Sequence, residues 1–161
     1  VFAMAKDSGS NIYFAGTFNT AESLPIDGIA KWNVSSPSWE SLGSGGYALA
    51  ADSSGNIYTQ TAKWNGSTWQ SFTDSDPGRP PVWALAAESS SQVFSGAVNY
   101  NFIGKLNGTV WNNLAGELVN VFGNTEVQAL ALDTAGDLFI GGKFTSAGGI
   151  PAYNIVKRVN P

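Results

Sequence analysis

The chain has 161 residues, a formal net charge of −4 and an isoelectric point near 4.5. Charged residues make up only 12% of it, about half the usual share, and its 19 glycines are widely spread, which predicts a turn-dense all-β protein. The acidic balance argues against nucleic-acid binding, which depends largely on Lys and Arg. The chain has no cysteine and no histidine, so disulfides, thiolate catalysis and imidazole metal sites are excluded. No apolar run approaches the ~20 residues of a membrane span.

Four segments of similar pattern predict an internal repeat. They lie at 1–18, 46–61, 82–97 and 127–144, and each has an apolar run, an acidic residue, a small or polar turn and a second apolar run. The acidic residues (Asp7, Asp52, Glu88 and Asp133) are 45, 36 and 45 positions apart, a mean period of 42. Periods of this size are typical of solenoids and propellers. We therefore expect one domain over 1–161 with repeats at 1–45, 46–81, 82–126 and 127–161.

Each repeat also contains a third short strand that carries a lysine, at 28–33, 61–65, 102–107 and 154–160. A tryptophan segment follows in the first three repeats, at 38–43, 68–72 and 110–114. Four short strands bounded by turn residues predict a four-stranded antiparallel meander. Asn65-Gly66 and Asn107-Gly108 predict two-residue type I′ turns between the third and fourth strands. The longest links, at 17–27 and 143–154, are predicted to be loops, where binding is most often found.

The repeat resembles a known family. The pattern V-x-A-L-A-x-D-x-x-G-x-x-Y-x-G-G-x-F, then I-x-K-W-N-G, then W-x-x-L-G, is similar to the kelch-like propeller repeats of secreted and cell-surface proteins. It is clearest at 127–158 and departs in the third repeat, which lacks the glycine pair, and in the second, which lacks the long link. The resemblance implies a β-propeller of four four-stranded repeats and an extracellular or cell-surface location. It implies no particular activity, because propellers have diverse functions.

The fourth repeat lacks the tryptophan strand after Val156, Lys157, Arg158 and Val159. An uncovered strand exposes a row of unpaired backbone groups, which proteins usually cover. Three explanations are open. The chain is a fragment of a longer surface propeller protein, since it also starts inside a repeat without a signal peptide; or a closed ring tolerates a three-stranded blade; or a neighbouring copy supplies the strand. The last would join copies into an oligomer or a filament if the contact does not close.

Three N-glycosylation sequons occur at the same point of the repeat, beginning at Asn33, Asn65 and Asn107. Each lies where the third strand meets its hairpin, and such exposed loops suit N-linked glycans in a secreted protein. With 14 Asn and 28 Ser plus Thr, however, chance alone predicts about two such sites. The Asn-Gly turns also explain Asn65 and Asn107 without a sugar. We predict glycans at these positions if the protein is secreted.

Other recurring residues have a structural and a functional interpretation. Asp7, Asp52 and Asp133 lie in D-x-x-G-x turns, where an Asp that bonds its own turn is commoner than a calcium ligand. The tryptophans, which are Trp32, Trp39, Trp64, Trp69 and Trp111, are expected to pack between repeats, although they could stack on sugars. The lysines, which are Lys31, Lys63, Lys105 and Lys157, are expected to lie with their stems over the aromatic layer.

No spacing of acidic residues indicates a catalytic pair, so we expect no enzymatic activity, no catalytic residue, no metal site and no cofactor. The sequence favours an extracellular structural or adhesive propeller, for example one that is the glycosylated repeating subunit of a filament. The alternative is a carbohydrate-binding, lectin-like propeller with repeat-related sugar sites.

Overall fold

The computed structural model describes residues 1–73, 81–97, 103–114 and 118–159. Phe102, in a predicted third strand, and Asn160 and Pro161, at the end of the fourth repeat, lie outside these ranges. The regular structure of the described residues is entirely β, in twenty short strands without a helix. Accordingly, no helix in these ranges could span a membrane. The all-β class predicted from composition is confirmed.

The chain divides into two compact units, Val1–Ser71 and Phe72–Pro161. The first contains two four-stranded antiparallel sheets, ordered β1-β2-β5-β6 and β7-β8-β9-β10, and a separate hairpin of β3 and β4. Its strands are β1 (Ala3–Lys6), β2 (Ile12–Ala15), β3 (Thr20–Ala21), β4 (Leu24–Pro25), β5 (Ile29–Asn33), β6 (Ser38–Gly43), β7 (Ala50–Ala51), β8 (Ile57–Tyr58), β9 (Ala62–Trp64) and β10 (Trp69–Ser71).

The second unit contains a four-stranded sheet, β11-β12-β13-β14, and two three-stranded sheets, β16-β17-β20 and β15-β18-β19. Its strands are β11 (Val82–Ser89), β12 (Gln92–Ala97), β13 (Ile103–Asn107), β14 (Val110–Asn113), β15 (Leu118–Val119), β16 (Glu126–Leu132), β17 (Leu138–Lys143), β18 (Ser146–Ala147), β19 (Ile150–Pro151) and β20 (Ile155–Arg158).

Each predicted repeat corresponds to one principal sheet. The first three sheets have four strands in meander order, and the fourth has three, so the meander and its missing strand agree with the sequence. Apolar residues that alternate along the strands form one core in each unit. In the first unit Tyr13, Ala15, Ile29, Leu49 and Ile57 join the two sheets. In the second unit the buried cluster spans the third and fourth sheets and is made of Ala86, Phe94, Ile103, Leu118, Val127, Leu138, Ile140 and Phe144. The propeller arrangement of the sheets stays a prediction.

In the turn between the first two strands of a repeat, the fourth residue of the D-x-x-G-x pattern has a positive φ. Gly55 has φ 84° and Gly136 has φ 80° at this position, and both backbone N–H groups donate to the carbonyl of the turn's first Asp. In the first repeat the glycine comes one residue early, at Gly9. Ser10 therefore adopts φ 70°, a left-handed conformation that costs a residue with a side chain ~1–2 kcal/mol.

The predicted type I′ turns are wrong. Type I′ needs positive φ at both central residues, whereas here Gly66 (φ 96°) and Gly108 (φ 63°) occupy the first central position and the second residue is not left-handed. Asn65 instead precedes the loop, where its Oδ1 accepts hydrogen bonds from the backbone of Ser67 (3.0 Å) and Thr68 (2.9 Å). The hydrogen bonds of the Asn65 side chain thus stabilise the loop, in place of the type I′ backbone torsions that the sequence predicted.

The two long links, predicted to be loops, each contain a miniature hairpin. β3 pairs with β4, and β18 pairs with β19, in the same two-residue register. The torsions also agree, with φ 52° at Glu22 against 57° at Gly148, and 79° at Gly28 against 66° at Asn154. Strands of two residues are too short to give a periodic pattern in the sequence.

We expect Ser10→Gly to raise the free energy of unfolding by about 1 kcal/mol, because glycine removes the left-handed strain. Ser8→Gly in the same turn is the matched control. Ser8 is not left-handed, so its replacement only adds unfolded-state entropy and should lower stability by a few tenths of a kcal/mol. Urea denaturation of both variants measures the difference. Equal effects of the two substitutions would contradict strain at Ser10.

Candidate functional site

The acidic residue of the first two repeats organises its own turn. Asp7 Oδ1 accepts a hydrogen bond from the Asn11 backbone N–H (2.8 Å), and Oδ2 accepts from the Asn11 side chain (2.9 Å) and the Tyr13 hydroxyl (3.1 Å). Asp52 repeats the arrangement with Asn56 (2.9 and 2.7 Å) and Tyr58 (2.8 Å). These carboxylates are therefore occupied by the turn. Among the described residues no cluster of three or more acidic side chains is placed to hold a metal ion.

The fourth repeat changes two members of this network together. Asp137 replaces the Asn and Phe139 replaces the Tyr, so the turn carries two carboxylates and loses a hydroxyl donor. Lys157 balances the added negative charge. Its Nζ lies 2.6 Å from Asp137 Oδ2 and 3.8 Å from Asp133 Oδ2. Hydrogen bonding to Asp137, above all, raises the pKa of Lys157. The substitutions are thus compensatory within the turn.

The recurring lysines lie over aromatic rings, as predicted. Each is paired across two strands with the aromatic residue of its repeat, at Tyr13, Tyr58, Phe94 and Phe139. The four Nζ atoms are 5.4–6.0 Å from the ring centroids, within the range of a cation–π interaction. These lysines stabilise the sheets, which leaves few cations for binding anionic ligands.

The tryptophans are packed rather than displayed. Trp32 and Trp39 face each other across β5 and β6 with ring centroids 5.1 Å apart, and Trp64 and Trp69 do so across β9 and β10 at 5.4 Å. Trp111 is buried edge-on against Phe72. None of the five is among the strongly exposed apolar residues. Their position fits the packing interpretation and not that of a sugar platform.

The sequons occupy the predicted junctions of the third strand and its hairpin. Asn65 and Asn107 are exposed and Asn33 is half-buried. The Nδ2 atom of Asn65 lies 3.3 Å from Thr68 Oγ1, and that of Asn33 lies 3.4 Å from the Ser38 carbonyl. These long contacts are weak, so they hold the side-chain amides of Asn33 and Asn65 only loosely.

Val156, Lys157, Arg158 and Val159 lie at an open sheet edge. In the described part of the chain, β20 has β17 on one side and no strand on the other. A cavity of about 260 Å³ adjoins this edge and is lined chiefly by apolar residues, among them Ile103, Ile140 and Ile150. The edge thus combines unpaired backbone groups with an apolar hollow.

A second cleft, of about 300 Å³, lies within the first unit. Phe2 and Tyr47 line it with ring centroids 5.1 Å apart and planes inclined by 30°. Its lining also includes Thr17, Asn19 and Asp27, which are exposed. This site was not predicted from the sequence, because Phe2 and Tyr47 are 45 residues apart and each precedes the first strand of its repeat. The signal that could have revealed it is the aromatic residue shared by Phe2, Tyr47 and Trp83, one position after the start of each repeat.

No known protein-family model matches this chain, and no curated protein is similar to it at a significant level. Two solved structures share its fold. Both are of the extracellular domain of BT4673 from B. thetaiotaomicron, described as a one-component system in one and as a hybrid two-component system in the other. The TM-scores are 0.57 and 0.58, the identities 15% and 13%, and the matches cover 90% and 99% of this chain. The chain spans only about a fifth of those domains, 20% and 22%. The likeness shows a common fold with part of an extracellular domain.

We expect Asp52→Ala to lower the free energy of unfolding by about 3 kcal/mol, because it leaves the buried Tyr58 hydroxyl and two donors of Asn56 without their acceptor. Glu88→Ala is the matched control. Glu88 occupies the same repeat position but forms no hydrogen bond or ion pair within the described ranges. Its loss should change stability by less than about 0.5 kcal/mol. Similar losses for both variants in chemical denaturation would contradict the role of the Asp turn.

Stability should fall at alkaline pH. Burial, followed by the charge of Asp7, raises the pKa of Tyr13 above its ordinary 10.0, and burial with the Asp52 hydrogen bond does so for Tyr58. Below about pH 9 both states keep these protons. Above pH 10 only the unfolded state releases them, so each tyrosine lowers the free energy of unfolding by about 1.4 kcal/mol per pH unit. Tyr58→Phe should reduce the loss of stability between pH 10 and 11 by about 1 kcal/mol, because the unfolded tyrosine is only partly ionised near its ordinary pKa of 10.0. An unchanged slope in urea denaturation would refute the raised pKa.

Proposed function

We propose that this chain is a structural or adhesive extracellular protein whose copies join through the open edge of β20. In this proposal the four principal sheets are blades of a kelch-like β-propeller, and a strand from a neighbouring copy completes the fourth. Repetition of a head-to-tail contact that does not close produces a filament. The proposal also includes N-linked glycans at Asn33, Asn65 and Asn107.

The observation that carries the proposal is the exposure of one isoleucine. Ile29, Ile103 and Ile155 occupy the same position in the third strands of three repeats. Ile29 is 3% exposed and Ile103 is 5% exposed, whereas Ile155 is 71% exposed. In the first two cases the residue lies in a core cluster that includes residues of the next sheet. The fourth strand also contributes there: Leu42 belongs to the cluster of Ile29, and the Leu114 backbone N–H donates to the Ile103 carbonyl at 2.7 Å.

A strand added to β20 would remove this exposure. Burial of an isoleucine side chain contributes about 1.5–3 kcal/mol, and the neighbouring cavity offers further apolar surface. The register of the complete sheets defines the partner. Trp39 lies opposite Trp32, and Trp111 lies opposite Leu106, so the incoming strand should place an aromatic residue opposite Arg158. An aromatic ring there would stack on the guanidinium group.

A second open edge supports assembly by strand pairing. β18 pairs on its outer side with β15, and the Thr145 backbone N–H donates to the Val119 carbonyl at 2.7 Å. The equivalent strand β3 has only β4 as a neighbour in the described residues. The chain thus offers two strand-accepting edges, one in each unit, and in each case a related repeat has the edge filled.

The extracellular location is supported by the two solved structures, which are extracellular domains, and by the sequons on exposed hairpins. Glycans on the third-to-fourth-strand hairpin would project from the end of the third strand. The lysines at the middle of that strand are held over aromatic rings and away from the hairpin. Glycosylation at these points is therefore compatible with the sheets as they stand.

The test replaces the missing strand within the chain. A copy of the segment Asn107–Leu114 placed directly after Val159 should pair with β20 in each molecule, abolish assembly and raise the melting temperature. Ile155→Lys should also disperse the assemblies, because it places a charge at the edge. Val121→Lys, at a residue that is likewise 71% exposed but distant in sequence from the edge, is the matched control and should assemble normally.

Mass photometry and electron microscopy measure assembly, and intact mass spectrometry of native material measures the glycans. Monomeric wild-type protein at all concentrations would refute assembly through β20. Assemblies that persist in both edge variants would place the contact elsewhere. Unmodified mass at the three sequons would remove the glycans from the proposal and leave the assembly intact.

A further inference from the structure

Three repeats carry an exposed aromatic residue at one equivalent position. Phe2, Tyr47 and Trp83 each follow the first residue of the repeat, and their exposed fractions are 53%, 44% and 52%. The fourth repeat has Gln128 there. Of the three, Phe2 and Tyr47 contact each other beside a cleft, and this makes those two rings candidates for ligand binding.

Phe2 and Tyr47 form one wall of the 300 Å³ cleft of the first unit. The floor is backbone, built by Gly16, Gly28 and Gly45. A Cβ on Gly28 would lie 2.5 Å from the Cα atom of Gly45, and a Cβ on Gly45 would clash with the Gly16 carbonyl. Glycine at these positions therefore lets the backbone segments that line the cleft approach one another closely beside the two rings.

The rim is polar. Thr17, Asn19 and Asp27 line the cleft, and their side chains form no hydrogen bond or ion pair within the described ranges. Together they offer a hydroxyl, an amide with both donor and acceptor, and a carboxylate acceptor. Among the described residues, no lysine or arginine lines the cleft, so an anionic ligand would meet a carboxylate without a compensating cation.

An aromatic wall with separate donors and acceptors matches the chemistry of a sugar ring. One face of a pyranose presents C–H groups that pack against aromatic rings, and its edge carries hydroxyl groups that bond carboxylates and amides. The volume is at the lower end of the roughly 300–1,000 Å³ of small-molecule sites, which suits one or two rings. We propose that this cleft binds an uncharged hexopyranose, with Phe2 and Tyr47 stacking on the ring and Asp27 and Asn19 bonding its hydroxyls. The site does not depend on assembly through β20.

The experiment is saturation-transfer NMR on the intact chain. The probes are N-acetylglucosamine and the methyl glycosides of glucose, galactose and mannose, each at about ten times an expected dissociation constant of order 1 mM. At least one should receive saturation. Tyr47→Ala, Phe2→Ala and Asp27→Asn should each weaken that sugar at least about tenfold, while Tyr47→Phe keeps the ring and should retain binding. Trp83→Ala, at the equivalent position of the second unit, is the matched control and should bind as the wild type does.

Circular dichroism and thermal melts verify that each variant is folded. Saturation of none of the four sugars overturns the proposal, as does binding that survives both alanine substitutions. The same titration with the synthetic peptide Leu118–Glu126 tests the competing occupant. That segment carries β15, which fills the edge equivalent to β3 in the fourth repeat. Binding of the peptide at Phe2 and Tyr47 without any sugar would assign the cleft to a polypeptide strand and overturn the proposal.

Discussion

In three of the four principal sheets a fourth strand pairs with the third, and this pairing decides how much of each sheet is buried. The principal sheets are narrow, so a single missing strand leaves a large part of a sheet unburied. The isoleucine of the third strand follows this difference: it is buried in the first and third sheets, which have a fourth strand, and exposed in the fourth sheet, which has none among the described residues. Backbone pairing and apolar burial are lost together at that edge, since the strand that satisfies the N–H and C=O groups also brings the leucine that covers the isoleucine.

In the first two repeats, the turn and the third strand form one electrostatic unit. The Asp bonds its turn and a tyrosine of the second strand, and the lysine of the third strand lies over that tyrosine's ring. The fourth repeat has a second carboxylate, at Asp137. There the Lys157 amine lies beside the carboxylate and also over the ring of Phe139. One lysine therefore contacts both an aromatic ring and an added carboxylate, and the repeat tolerates this substitution. In this way the lysine of the third strand stabilises its sheet through partners within the same repeat.

The sequence predicted the strand content of each repeat because apolar runs, turn residues and a 42-residue mean period all agree. It did not predict the miniature hairpins of the long links, since strands such as Thr20–Ala21 are too short to show alternation. The type I′ turns were wrong because an Asn side chain can bond the turn from outside the loop, a choice that the dipeptide Asn-Gly does not reveal. The cleft at Phe2 and Tyr47 was missed because its walls come from positions 45 residues apart and its floor from three glycines in different turns.

The open edge of β20 also lacks the devices that protect edge strands. Lysine often guards such edges by projecting charge toward an approaching strand. Here Lys157 is held by Asp133 and Asp137, on the side of β17, so its charge is neutralised. No proline or bulge interrupts the pairing of Ile155–Arg158 with β17. Arg158 remains as the edge's cation, and its planar guanidinium group pairs well with an aromatic ring. A strand whose charge is neutralised, whose backbone is regular and whose isoleucine is exposed has the properties of an accepting surface rather than of a defended edge.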